Sequence, residues 1–240
     1  MTIVFSDTST NTGIVQQARK MMRVDSSQWP TANIVASVNN WHDFITGYAI
    51  GEDKRFQWDD TNHTALPEGT IPSTTSSDYS FLTDQQGNAI ITLIGVSRLD
   101  SASGKYIPLT EVDRNDPSVD VSSFGTTSGT PTMYDKIADN IIRLDYKVGS
   151  VISAYFKFFF QRTGSYFVAA DTTKSPGVSP LLHRGYVIAA AYDGALTLGL
   201  KNLRALLVER EKEEAKVVQY FASRNRDTVT RMVPRVESSK

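Results

Sequence analysis

Few side chains in this 240-residue chain offer chemistry, and their spacing decides what they can do. Asp59 and Asp60 are adjacent carboxylates, an arrangement able to hold a metal or to share acid and base work. They lie inside residues 58–67 (WDDTNHTALP), where Asp and Asn side chains bond nearby backbone N–H groups, so the pair reads as turn chemistry. The three histidines, His42, His63 and His183, include no two at i, i+3 or i+4, the spacing expected of metal ligands on a helix. His42 and His183 fall on helical patterns, and each reads as a surface or capping residue. The chain has no cysteine, which removes disulfides, thiolate zinc sites and a cysteine nucleophile together. No G-x-S-x-G, Walker loop or G-x-G-x-x-G is present. The expectation is a chain that is not an enzyme and that uses no metal and no cofactor.

The elements around these residues are helical at both ends. Residues 180–200 carry Leu181, Gly185, Ile188, Tyr192, Ala195 and Gly199 at three- and four-residue steps, one face of a helix. Ala189, Ala190, Ala191 and Gly194 widen that face, so neighbours can approach from several sides and the helix should be central to a bundle. Pro180 suits the first turn, and Gly199 or Asn202 can end the helix. Residues 203–222 follow with apolar ends (Leu203, Leu206, Leu207, then Val217, Val218, Phe221) and a charged middle. Glu209/Lys212 and Glu213/Lys216 are spaced to support an exposed helix. Glu209, Arg210, Glu213 and Lys216 therefore mark a face that is solvated or shared with another subunit.

Near the other end, residues 12–23 place Ile14, Val15, Ala18, Met21 and Met22 on one face, with Asn11 or Thr12 as N-cap. A second helix begins near Thr31, with the stripe Ile34, Val38, Trp41, Ile45 and Tyr48 and a stop at Gly51. Between the helical ends, strand-like runs occur at 89–99, 106–112, 132–137, 140–146 and 152–161, with a tight hairpin around Ala138 and Asp139. In the last run, Phe156, Phe158 and Phe160 face one way while Tyr155, Lys157 and Phe159 face the other, the pattern of a central strand. The fold expected is α+β, a helical bundle of N- and C-terminal helices with an inserted antiparallel β-sandwich or barrel. Its parts are residues 1–57, the N-terminal helices; 58–170, the inserted β region; 171–222, the C-terminal helices; and 223–240, a tail.

Hydrophobic residues make up 40% and charged residues 21%, ordinary values for a chain with a real core, and the formal net charge of −1 offers no global field to recruit nucleic acid or an acidic membrane. The most apolar run, VISAYFKFFF at 151–160, is interrupted by Lys157 and is far short of the roughly 20 residues needed to span a bilayer. No secretory leader is expected from MTIVFSDTST. The tail differs from the body. From residue 222 onward, four arginines and one lysine stand against Asp227 and Glu237. It reads as a solvated terminus, as a protein-docking arm with arginines for carboxylates and Val229, Met232, Val233 and Val236 for burial, or as a DNA-binding arm. The last lacks interleaved aromatics.

Four stretches coincide with a known pattern: WDDTNHTALP at 58–67, GTPTMYD at 129–135, FQRTGSYFVAADTTKSPG at 160–177 and FASRNRD at 221–227. In this order and at these separations the chain resembles the head-to-tail connector (neck) proteins of tailed bacteriophages, in particular the adaptors that form a ring beneath the portal. The resemblance implies a helical bundle with an inserted β domain, assembled as a homo-oligomeric ring, expected to be a dodecamer. DNA passes through that ring without specific binding. It also implies a portal-docking segment at 223–240, carrying Arg224, Arg226, Arg231, Met232, Val233 and Arg235, with a stopper or tail protein on the opposite side of the ring. Residues 228–240 match no motif of the family, so docking there rests on position and composition. The expected location is the neck of the virion, after assembly in the host cytoplasm, with no membrane partner. The alternative from the same setting is another neck or tail structural protein: a stopper, tail-tube or baseplate component.

Overall fold

The computed structural model describes residues 3–52, 67–84, 87, 89–120, 122 and 124–224, and among these the chain is mixed α and β, with four α-helices and two four-stranded sheets. Helix α1 (Ile14–Met22) buries Ile14, Val15, Ala18 and Met22, the face expected from spacing. Its N-cap is Gly13 rather than Asn11 or Thr12. The Thr12 hydroxyl is already bound to the Asp7 carboxylate at 3.1 Å. A Cβ at position 13 would stand 2.4 Å from the Asp7 backbone nitrogen. The first-turn N–H groups of Ile14 and Val15 donate instead to the carbonyls of Val4 and Phe5, at 2.9 and 3.0 Å, so the preceding segment caps the helix and no side chain is required.

Helix α2 (Thr31–Glu52) buries Ile34, Val38, Trp41 and Ile45 as the stripe predicts, but Ala49, not Tyr48, completes it. Gly51 lies inside the last turn and does not stop the helix. A single 3₁₀ turn (Pro180–Leu182) leads into helix α3 (His183–Leu198), and Gly199 ends α3 in the left-handed conformation at φ 63°, where a glycine avoids the Cβ penalty. Leu181 is 64% exposed, so the buried face begins one residue later, at Leu182.

Helix α3 is buried on nearly all sides, and α1, α2 and α4 (Leu203–Arg224) all pack on it. Its small residues are what let them approach. A Cβ on Gly185 would meet the Trp41 ring at 2.7 Å, and one on Gly194 would meet Met22 Sδ at 2.2 Å. The resulting core joins Phe5, Ile14, Trp41, Phe167, Tyr186 and Phe221 among others, and it is separate from the core of the sheets.

The first sheet has the order β1 (Glu68–Ile71), β8 (Phe156–Arg162), β3 (Ile90–Asp100), β4 (Lys105–Pro108). The second has the order β2 (Asp78–Ser80), β7 (Ile141–Leu144), β6 (Met133–Ala138), β5 (Thr110–Glu111). Strand β8 is interior to its sheet, and Phe156, Phe158 and Phe160 are buried against Tyr79 and Phe81 of the other sheet's side, with ring centroids 4.8 Å apart for Tyr79–Phe156 and 4.6 Å for Phe81–Phe158. The hairpin expected near Ala138 is the β6–β7 turn. Two features depart from expectation. Strand β5 pairs with β6 in parallel, so the strands are not all antiparallel. The described strands form two open sheets and close no barrel.

Polar groups fix the ends of this β region. Asp145 is fully buried and its carboxylate accepts from the backbone N–H of Thr132, from the Thr132 hydroxyl at 2.7 Å and from the N–H of Tyr146 at 3.0 Å. Gly129 lies under the Tyr146 ring, where a Cβ would stand at 2.9 Å. The motif GTPTMYD is therefore a folding element of the second sheet. At the end of β8, Arg162 and Asp84 form an ion pair at 3.0 Å with side chains 1% and 3% exposed.

Candidate functional site

The charged middle of α4 is laid against α3 through a ladder of ion pairs. Arg184 of α3 reaches Glu209 at 3.1 Å and Glu213 at 3.9 Å. Arg210 reaches back to Asp193 at 3.3 Å, pairs with Glu214 at 2.9 Å along its own helix, and lies 4.9 Å from the Tyr192 ring centroid. The spacing pairs are both formed, Lys212 to Glu209 at 2.9 Å and Lys216 to Glu213 at 3.3 Å. The Lys212 hydrogen bond, its charge and that of Arg184 hold the Glu209 carboxyl below its ordinary value. The structure thus joins Glu209, Glu213 and Lys216 in one group through Arg184, while Arg210 pairs separately with Asp193 and Glu214, so each is engaged within the chain. Glu213 is buried, while Leu207 and Val208 of the same helix are exposed.

This face can fix the α3–α4 pair and present alternating charge along a rod. Exposed pairs of this kind contribute little to stability individually, and their ordering effect is on side-chain geometry. Arg224 is the last helical residue, so α4 runs two residues beyond the expected end at 222. Arg226, Arg231, Met232, Val233 and Arg235 lie outside the described residues, as do Asp59, Asp60 and His63.

The two remaining histidines are not at the surface. His42 is fully buried and its Nδ1 shares a hydrogen bond with the Tyr186 hydroxyl at 2.7 Å. His183 is 1% exposed; its Nδ1 accepts from the Ile3 N–H at 3.1 Å and its Nε2–H donates to the Val178 carbonyl at 3.0 Å. That pattern requires the neutral ring protonated on Nε2. Burial pushes His183 below its ordinary value, against the opposing effect of the Val178 carbonyl. Spacing carried a signal for His42, because Val38, His42, Ile45 and Ala49 step by four, three and four along the buried face. Among the described residues, no group of three His, Asp or Glu side chains could hold a metal ion.

The segment between β8 and α3 binds along the helices. Asn39 uses both ends of its amide on Phe167, donating to the carbonyl at 3.0 Å and accepting from the N–H at 2.9 Å. The Tyr166 hydroxyl donates to Asp43 at 2.6 Å; burial, then that hydrogen bond, push its phenol up to about 12. Phe167 stacks on Phe5 with centroids 5.1 Å apart, and Lys174 Nζ lies 5.3 Å from the Phe167 ring centroid. The FQRTGSYFVAADTTKSPG stretch is thus the strap joining the β strands to the helical core. The stretch is legible in the sequence but its partners are not, because Asn39 and Asp43 sit more than a hundred residues away.

Compared with protein-family models and with curated proteins, the sequence finds no match in either. No described helix is long and apolar enough to cross a membrane.

Proposed function

We propose that this chain is a structural head-to-tail adaptor of a tailed phage, a subunit of a homo-oligomeric ring beneath the portal that joins capsid to tail and surrounds the DNA exit channel. In this reading the four helices are a bundle, residues 58–170 are an inserted β-sandwich, and residues 223–240 are the arm that docks on the portal. The ring is a dodecamer with the stopper or a tail protein on its far side. The observation that carries the reading is the order of the four motifs, together with helices from both ends of the chain packing on α3 while the intervening strands keep a core of their own. A net charge of −1 suits a channel that lets DNA pass, since many phosphate contacts would retain it.

The reading makes the tail separable from the fold, and every described residue of the helical core precedes 225. A chain lacking 225–240 is expected to keep the circular dichroism and melting temperature of the full chain and to lose portal binding in a sedimentation or pull-down assay. Undiminished binding by the shortened chain would contradict the docking arm.

A further inference from the structure

We propose that residues 3–5 are a pH-gated clasp on the helical core, closed on the neutral His183 ring and opened by its protonation. Three contacts hold the clasp: Ile3 N–H on His183 Nδ1 at 3.1 Å, Phe5 N–H on the Lys174 carbonyl at 2.7 Å, and the Phe5 ring stacked on Phe167. Its own carbonyls, from Val4 and Phe5, cap α1. The first contact alone depends on protonation. A proton taken from solvent by Nδ1 turns the acceptor into a donor pointing at another donor, so the Ile3 bond is lost while Nε2–H stays on Val178.

Two backbone carbonyls, of Val178 and Pro176, favour the resulting cation, but burial outweighs them and no described carboxylate pairs with it. The N-terminal side offers the ring the Ile3 backbone N–H and the repulsion of the amino-terminal charge, and the connector offers the carbonyls of Val178 and Pro176, with Lys174 directed to the Tyr166 carbonyl and Asp171. From α3 the adjacent charge is Arg184, and from α4 the carboxylates at that end, Glu209 and Glu213, are bound to Arg184 and to Lys212 and Lys216. No described carboxylate forms an ion pair with His183. A ring held neutral by burial gives closure that is complete above the free value of about 6.5 and is lost as pH falls below it, with opening rising up to about tenfold per pH unit until the folded value is reached.

Amide hydrogen exchange of the full chain from pH 7.5 to 4.5, corrected for intrinsic rates, tests this. Ile3, Phe5, Ile14 and Val15 are expected to lose protection together below about pH 6.5, while Val217 in α4 keeps its protection. His183→Gln, which does not titrate, is expected to give a flat profile at the four reporters. Flat reporters in the unaltered chain would overturn the clasp, as would loss of Val217 protection in step with them, or an unchanged pH profile in the glutamine variant. The first two readouts require no variant, so a folding defect in His183→Gln leaves the proposal testable.

Discussion

Replacing Asp84 by alanine is expected to lower the stability of the chain by about 3–5 kcal/mol in urea or guanidinium unfolding, because the buried Arg162 guanidinium would lose the buried Asp84 carboxylate at 3.0 Å. Arg162 is among the largest fully buried side chains and lies 3.0 Å from Asp84 at the end of the interior strand β8. The penalty comes from desolvated charge rather than from the net attraction of the pair. Replacing both residues with apolar ones, Asp84→Leu with Arg162→Met, should therefore recover much of the loss. If the single and double variants lost the same stability, the ion pair would not be what determines this site.

The helical core makes the second large prediction. Trp41 is 3% exposed, stacks on Phe44 with centroids 4.9 Å apart and lies flat against Gly185. Trp41→Ala should cost about 3–5 kcal/mol as the cavity fails to close. Gly185→Ala should cost about 1–3 kcal/mol, although alanine is the better helix former by about 1 kcal/mol. The added Cβ would have to displace three rigid ring atoms at 2.7–2.9 Å. In the Trp41→Ala background the obstacle is gone, and Gly185→Ala should become neutral or stabilising. Additive effects of the two changes would show that they do not share the space the structure gives them.

These two sites also show what could be read from sequence. The run of small residues in α3 announced close approach from several sides, and α3 does receive α1, α2 and α4. The alternation in β8 announced a central strand, and it has β1 and β3 on its flanks. Spacing worked there because a buried face imposes its period on the chain. It failed where a long-range partner takes over a local role. The N-cap of α1 comes from backbone carbonyls of Val4 and Phe5, so Asn11 and Thr12 were false signals. Strands β1 and β2 are four and three residues long, too short to show a period, and exist through their pairing with β8 and β7. His42 and His183, expected as surface or capping residues, are buried, because the place of His42 in the helical step and the long-range contact of His183 with Ile3 outweigh their polar type. The charged pairs of α4 were legible at three-residue spacing, whereas the reach of Arg184 and Arg210 between helices was not. The arginines expected to dock on the portal fall outside the described residues, apart from the end of α4 at Arg224.

The proposed function places this chain in the collar joining capsid to tail. Electron microscopy of phage particles labelled on this protein measures that directly. Density from the label is expected as a ring at the junction of head and tail, adjoining the portal. Label confined to the distal end of the tail, or particles that lack the protein, would contradict the account.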